Sequence, residues 1–321
     1  MLAVSCVSQS ADDPLTGLEV GERPDPAVPE GWARVHVKAA ALNHHDLWSL
    51  KGVGLSPDKL PMVLGCDAAG VTDDGHEVVV HAVISTPGWT GDETLDPRRT
   101  LLSELYDGAL AETVVVPARN LLPKPATLSW EEAACLPTAW LTAYRMLFTQ
   151  SGLRPGDRVL VQGAGGGVAT AAIVLARAAG YLVYATSRDE DKRAKALQLG
   201  AHEVFDSGAR LPDRVDAVIE TVGKATWGHS MKALRPGGTL VVSGATSGPD
   251  PSADLNRLFF LQLRVHGSTM GTRDELAALL RFCEATGVRP LIDQTLPLRD
   301  ARSGFERLAA GTVFGKIVLT A

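Results

Sequence analysis

The sequence predicts an α/β chain in which a doubly wound parallel sheet stands beside a mostly β unit. Three observations carry that expectation. Apolar β runs alternate with helical stretches from Arg158 to His266, a glycine cluster follows the first of those runs, and short β-branched runs fill the chain before Leu122 and return after Leu291. With 321 residues, 45% of them hydrophobic, the chain has room for about two domains of ~100 to 200 residues each.

In the first half, Ala33 to Lys38 alternates at period two, while Glu77 to Val80 and Thr113 to Val116 are β-branched runs, so each reads as a strand. Ser85 to Leu95 contains Thr86-Pro87-Gly88-Trp89-Thr90-Gly91-Asp92 and reads as a long surface loop, a candidate flap. Ser129-Trp130-Glu131-Glu132 fits a capping box, in which the serine hydroxyl and the acid three residues on satisfy free amides, so a helix starts there.

From Arg158 onward the strands are Arg158 to Val161, Tyr181 to Thr186, Val215 to Ile219 and Thr239 to Val242. The weaker runs Glu203 to Phe205 and Leu263 to His266 complete six, with helices such as Asp189 to Leu199 and Leu255 to Leu261 between them. That order requires parallel pairing, and six strands make a full Rossmann-type dinucleotide fold. A further helix, Arg273 to Ala285, precedes β runs at Leu291-Ile292, Leu296 and Gly315 to Leu319 that resemble those of the first half. The expected division is therefore residues 1–122 with 272–321 as the mostly β unit and residues 123–271 as the dinucleotide unit.

Val159-Leu160-Val161 runs into Gln162-Gly163-Ala164-Gly165-Gly166-Gly167-Val168-Ala169 and then a small-residue helix, Thr170 to Ala179. Gly163 permits a tight turn, and Gly165, Gly166 and Gly167 let the backbone approach a pyrophosphate. The helix start at Val168 and beyond offers free N–H groups to the anion. The second strand ends in Thr186-Ser187-Arg188, where an NAD enzyme places an acid for the ribose 2′-hydroxyl. A hydroxyl at Ser187 and cations at Arg188 and Lys192 suit a 2′-phosphate instead, which makes NADPH the expected cofactor. The competing reading is that Arg188 and Lys192 simply form a solvated face beside Asp189, Glu190 and Asp191.

Thirty-one basic against 37 acidic residues, a net charge of -6, and no long basic run argue against nucleic acid as a partner. The first residues lack a basic leader, and no segment approaches ~18 apolar residues, so the expectation is a cytoplasmic protein without a membrane span. The four cysteines, Cys6, Cys66, Cys135 and Cys283, are too far apart for a CxxC pair or a disulfide scaffold. Cys135 and Cys283 lie in helix-like apolar patterns and read as small buried hydrophobes.

Ala41-Leu42-Asn43-His44-His45-Asp46, Pro61 to Gly70, Ala134 to Tyr144, Gly163 to Ala169 and Gly315 to Val318 occur in an order and spacing that resembles the medium-chain dehydrogenase/reductase superfamily, in particular its zinc-independent quinone-oxidoreductase-like branch. The resemblance covers essentially the whole chain. It implies a GroES-like mostly β catalytic domain beside the Rossmann domain. Zinc-dependent members hold the metal at positions occupied here by Asn43, Cys66 and a residue near Thr138, and the lobe that carries structural zinc would fall in the cysteine-free stretch from Ile84 to Gly108. No metal is therefore expected.

By the same resemblance, Asn43 lies near substrate and nicotinamide, His45 takes the place of the first hydroxyl of a proton relay, and Asp46 completes the candidate catalytic set. Other readings of this trio leave the histidines facing a pyrophosphate or solvent and Asp46 only fastening the loop. Thr142, Val222, Gly223, Ser243, Gly244, Ala245, Ser268, Thr269 and Met270 join Asn43 and the glycine loop as cofactor contacts. Leu263 to His266 becomes a homodimer edge. The tyrosine donor that enoyl-thioester reductases place after the Asn-x-x-Asp element is missing from Lys51-Gly52-Val53-Gly54. An NADPH-dependent reductase of quinones or activated C=C or carbonyl acceptors follows, with Trp48 and Trp89 as candidate walls for the small-molecule substrate. An alcohol dehydrogenase and a non-enzymatic NADPH-binding redox sensor are the alternatives.

Overall fold

A computed structural model describes residues 1–321. The chain forms two compact units, Met1–Ala139 with Gly271–Ala321, and Trp140–Met270. The boundary thus falls later than the expected 122/123. The capping box at Ser129 does start a helix, Trp130–Ala134, with both reciprocal bonds formed. However, its apolar side, Ala133 and Ala134, is buried, and it packs against the strands Trp32–Ala41 and Asp67–Thr72 of the first unit.

The first unit is built on a seven-stranded sheet whose path runs Leu121–Pro123, Glu77–Val80, Asp67–Thr72, Trp32–Ala41, Lys316–Thr320, Ile292–Pro297, with Thr113–Pro117 also paired to Trp32–Ala41. The C-terminal strand is reclaimed as expected: it lies antiparallel to Trp32–Ala41, with Val318 opposite Ala41. On the other side of the same strand Asp67 is opposite Ala41. These two registers bring Asn43, Asp67 and Lys316 to one end of the sheet. A core of Leu42, Leu50, Leu64, Leu102, Leu110, Phe305 and Ile317 lies beneath. The expected loop after Ser85 contains only a short turn, Glu93–Leu95. It is pinned by the buried carboxylate of Asp96, which accepts from Thr86 N at 2.6 Å and Arg98 N at 2.9 Å.

The second unit contains the six expected strands, Arg158–Val161, Leu182–Thr186, Glu203–Phe205, Val215–Glu220, Leu234–Val242 and Arg264–Gly267. All pair in parallel, in the spatial order third, second, first, fourth, fifth, sixth. The order reverses between the first and fourth strands, the switch point at which such sheets bind ligands. The helix after the glycine loop, Gly167–Ala178, starts three residues before the expected Thr170, because Gly166 serves as its N-cap. The helix Lys224–Ala233 was not foreseen.

Candidate active and cofactor sites

In the first unit, Asn43 caps the helix His44–Leu50: its N–H donates to Asp46 Oδ2 at 2.8 Å, closing a capping box. Asp46 is fully buried, and the bond it accepts from the Asn43 N–H fastens the loop. The Asn43 side chain is committed as well. Its Nδ2 donates to Asp67 Oδ2 at 2.8 Å and Ala41 O at 3.3 Å, and its Oδ1 accepts from Lys316 Nζ at 2.6 Å. Lys316 Nζ also donates to Leu42 O at 2.7 Å and Asp67 Oδ2 at 3.1 Å. All three ammonium protons are thereby used.

His45 faces a different set. Its Nε2 lies 3.1 Å from Glu104 Oε1, and its Nδ1 lies 3.4 Å from Cys66 Sγ. Cys66 Sγ in turn donates to Leu102 O at 3.2 Å. Burial pushes the Cys66 thiol up, so it stays protonated. Burial also works against charge on His45, yet its neighbours outweigh it and hold the imidazole well above its ordinary range. The neighbours that favour the charged ring are Cys66 first, then Glu104 and Asp46. Burial would raise Glu104 in turn, but the His45 ring and the Leu101 N–H keep its carboxyl below the usual value. Asp46 is pushed up by burial to about 6.

Zinc-dependent relatives hold their metal where this chain carries Asn43, Cys66 and Thr138. A catalytic zinc needs about three good ligands. The amide of Asn43 is spent on Asp67 and bonded by an ammonium, Thr138 offers only a buried hydroxyl, and Cys66 is the one soft ligand left. This donor set does not fit zinc.

In the second unit the glycine loop turns back on the sheet, with Gly163 at φ +70° and Gly165 at φ +140°. Gly163 N donates to Thr186 Oγ1 at 3.3 Å and Ala164 N to Thr186 O at 2.7 Å, tying the loop to the second strand. A Cβ on Gly165 would stand 3.0 Å from Lys192 Cδ and 3.4 Å from its Nζ, so the ammonium lies over the turn. Thr170 N is the first amide to bond back, to Gly166 O at 3.0 Å. The amides of Gly167, Val168 and Ala169 have no intrahelical carbonyl and remain available to an anion. The residues fit a pyrophosphate.

Beside this loop, Ser187 is buried with its Oγ accepting from Asp189 N at 3.2 Å, whereas Arg188 is exposed. Asp189 caps the helix Glu190–Leu199 by accepting from Lys192 N at 3.0 Å, and no ion pair links Arg188 to Asp189, Glu190 or Asp191. An exposed, unpaired Arg188 is compatible with a solvated face as well as with a 2′-phosphate contact.

Glu220, buried at the end of the fourth strand, accepts from Val222 N at 2.8 Å, Gly223 N at 3.0 Å, Thr226 Oγ1 at 2.8 Å and Ser230 Oγ at 2.6 Å. Ser230 Oγ accepts from Gln162 Nε2 at 3.0 Å, and Gln162 Oε1 accepts from Thr186 Oγ1 at 2.6 Å. One buried network thus sets the loops that follow the first, second and fourth strands. Ser243, Gly244 and Ala245 follow the fifth strand, and a Cβ on Gly223 would come 2.8 Å from Ala245 Cα. Ser268 and Thr269 follow the sixth; Ser268 Oγ is buried without a partner, and Met270 has φ +49°. Thr142 is buried on a helix of the same unit.

Sequence reasoning did not single out Glu104, Lys316, Asp67, Gln162 or Glu220. Asp67 and Lys316 lay within motifs that were recognised, while Glu104 gave no signal, standing 59 positions from His45. Trp48 and Trp89 are both partly exposed, and the Trp89 indole N–H donates within its own loop to Asp92 O.

A dinucleotide sheet with a phosphate-fitting glycine loop, joined in one chain to a mostly β unit, defines an NAD(P)-dependent oxidoreductase. Residues 29–126 match the alcohol dehydrogenase GroES-like domain, and residues 167–285 match the zinc-binding dehydrogenase family. The chain is 31% identical to a zinc-type alcohol dehydrogenase-like protein YogA from Leptosphaeria maculans, over 94% of this chain and 93% of that protein. Among solved structures it resembles an NAD-dependent alcohol dehydrogenase, with TM-score 0.92 and 38% identity over all of both chains. It also resembles the 2-octenoyl-CoA carboxylase reductase CinF in complex with NADP and 2-octenoyl-CoA, with TM-score 0.89 and 26% identity over 100% of this chain and 87% of that one. The chain belongs to the medium-chain dehydrogenase/reductase superfamily. No helix is long and apolar enough to cross a membrane.

Proposed function

We propose that this protein is an NADPH-dependent reductase that delivers a hydride to an activated C=C bond or carbonyl, quinones included, and that it works without zinc. The observation that carries the reading is the commitment of Asn43 to Lys316 and Asp67, which removes the metal's place and leaves His45 as the protonatable group beside it. When bound, NADPH supplies the hydride. Gly163, Gly165, Gly166, Gly167 and Val168 would hold its pyrophosphate, and Ser187, Arg188 and Lys192 its 2′-phosphate. Thr142, Val222, Gly223, Ser243 to Ala245 and Ser268 to Met270 would line the rest of the dinucleotide. His45 supplies the proton, and Asn43 with Asp46 keeps the loop that carries it in place.

The relative crystallised with NADP and an enoyl thioester supports reduction of C=C. The 38%-identical structure favours a second reading, an NAD-dependent alcohol dehydrogenase. Fluorescence titration with NADPH and NADH, followed by oxidation of the bound cofactor with a simple quinone or enone, separates them. Tight NADPH binding with turnover that a chelator leaves unchanged is expected; chelator inhibition, or turnover only with NAD and an alcohol, would overturn the proposal. Arg188→Ala should weaken NADPH by about 1.5 to 3 kcal/mol, roughly ten- to 150-fold, and spare NADH, because a charge-assisted contact is lost. Equal weakening of both would count against a 2′-phosphate site.

The small molecule is one partner, and a second copy of the chain is the other. The strand Arg264–Gly267 is an exposed sheet edge, and Leu255, Phe259 and Phe260 stand out beside it, Phe260 at 79% exposure. An open edge next to an apolar patch invites isologous pairing. Light scattering should give the mass of two chains, and Phe260→Asp should shift it toward one. A wild-type protein that remains a single chain would remove the dimer.

A further inference from the structure

We propose that Glu104 is a positioning residue for His45: it fixes the ring with the proton on Nε2, so that Nδ1 is the nitrogen that exchanges protons during turnover. The inference deepens the role of His45 given above and rests on it.

Glu104 is held at both ends. Its Oε1 meets His45 Nε2 at 3.1 Å, while its Oε2 accepts from Leu101 N at 2.9 Å and Thr100 Oγ1 at 3.3 Å. The carboxylate therefore cannot swing away without giving up a backbone bond. Its side chain and that of His45 are 24% and 18% exposed, so water competes little for the contact. The turn that aims it inward is unusual. Ser103, fully buried, has φ +70°, a left-handed conformation that a non-glycine residue keeps only where its surroundings impose it. That turn has two consequences at once: it directs Glu104 onto Nε2, and it presents Leu102 O to Cys66 Sγ at 3.2 Å.

The cover over the pair is also shaped for it. A Cβ on Gly54, at φ +83°, would lie 3.3 Å from Glu104 Oε1 and 3.9 Å from His45 Nε2. Backbone alone passes there, in the loop where a tyrosine donor is missing.

The chemistry follows from which group each nitrogen meets. A carboxylate accepts only, so the neutral ring keeps its hydrogen on Nε2 and its lone pair on Nδ1. The Nδ1 partner is a thiol at 3.4 Å, a weak one that already donates to Leu102 O. A proton taken up at Nδ1 makes the imidazolium, which donates to Glu104 and Cys66. Its departure breaks the Nδ1–H bond, forms the new bond to the reduced acceptor and returns the Nε2–H ring, to be reloaded from solvent.

The test uses the full chain with isotope-labelled histidine. Nitrogen NMR of the wild type should show His45 with Nε2 protonated and Nδ1 bare in its neutral form. Glu104→Gln, whose carbonyl can still accept, should keep more of that form and of kcat than Glu104→Ala. The alanine variant should mix the tautomers and lower kcat roughly tenfold or more, with KM for the acceptor and NADPH affinity unchanged. In a His45→Gln background, Glu104→Ala should cost nothing further, because its effect passes through the ring. An unchanged tautomer and kcat in Glu104→Ala, beside a slow His45→Gln, would overturn the role of Glu104 alone. A His45→Gln enzyme as fast as wild type would instead overturn the reading on which it rests.

Discussion

Replacing Lys316 with methionine should destabilise the first unit by about 3 to 5 kcal/mol, the cost of stripping the partner from a buried charge. Lys316 is 3% exposed and Asp67 is fully buried. The ammonium serves Leu42 O, Asn43 Oδ1 and Asp67 Oδ2 together, whereas Asp67 Oδ1 has no partner even in the native protein. Methionine fills a similar volume and therefore tests the charge rather than a cavity. It leaves Asp67 with a single amide donor and the Leu42 carbonyl unmet. Lys316→Met combined with Asp67→Asn should recover much of the loss, since the buried charge then leaves with its partner. Urea unfolding of the wild type and the two variants checks this. A single variant within 1 kcal/mol of wild type, by linear extrapolation whose own error is about 10 to 15%, would show that the pair contributes little beyond its neighbours.

The second unit was more legible in the sequence than the first, for a physical reason. Strands such as Arg158–Val161 and Val215–Glu220 are buried along most of their length and are dominated by apolar residues. The glycine loop carries its own backbone requirement, and the start of the helix Glu190–Leu199 is marked by its cap. These signals are local. The helix Lys224–Ala233 was not legible, because Trp227, Gly228 and His229 break any apolar period; its first turns are fixed by a carboxylate four residues upstream, Glu220, through Thr226 and Ser230. In the first unit, what matters is register between distant strands. The C-terminal β run was assigned correctly to this unit, but nothing in one dimension says that Val318 lies opposite Ala41 and so sets Lys316 on Asn43. The same limit moved the domain boundary. A capping box announces where a helix starts, while the sheet it covers depends on which strands bury Ala133 and Ala134. His45 was singled out from a motif alone, and the partner that gives it chemical meaning, Glu104, was invisible until the loop closed.

The stability of the protein should fall steeply in mild acid through one residue outside the candidate site, His81. It is fully buried, its Nε2 donates to Gly271 O at 3.1 Å, and burial, with the nearby Arg273, lowers it from 6.5 to about 3. Glu93 is the acid that faces it, with Oε1 3.9 Å from Nε2, but that carboxylate also accepts from Arg273 N. Between pH 6.5 and 3 the unfolded chain binds the proton and the folded chain does not. Stability at this residue is therefore complete above 6.5 and is lost as pH falls, by up to about 1.4 kcal/mol per unit. Asp46 acts in the opposite direction. Its folded value of about 6 lies above its ordinary 3.8, so the folded state binds the extra proton and gains stability as pH falls through that window. A wild-type profile alone would mix the two. His81→Gln keeps a donor toward Gly271 and cannot titrate, so the gap between its stability and that of wild type isolates the histidine. Urea unfolding at neutral pH and at two points between 6 and 4 should find wild type losing ground to the variant at each step, by several kcal/mol across the range. Parallel profiles would mean that His81 is reached by solvent and takes its proton without unfolding the loop that Glu93 and Arg273 hold against it.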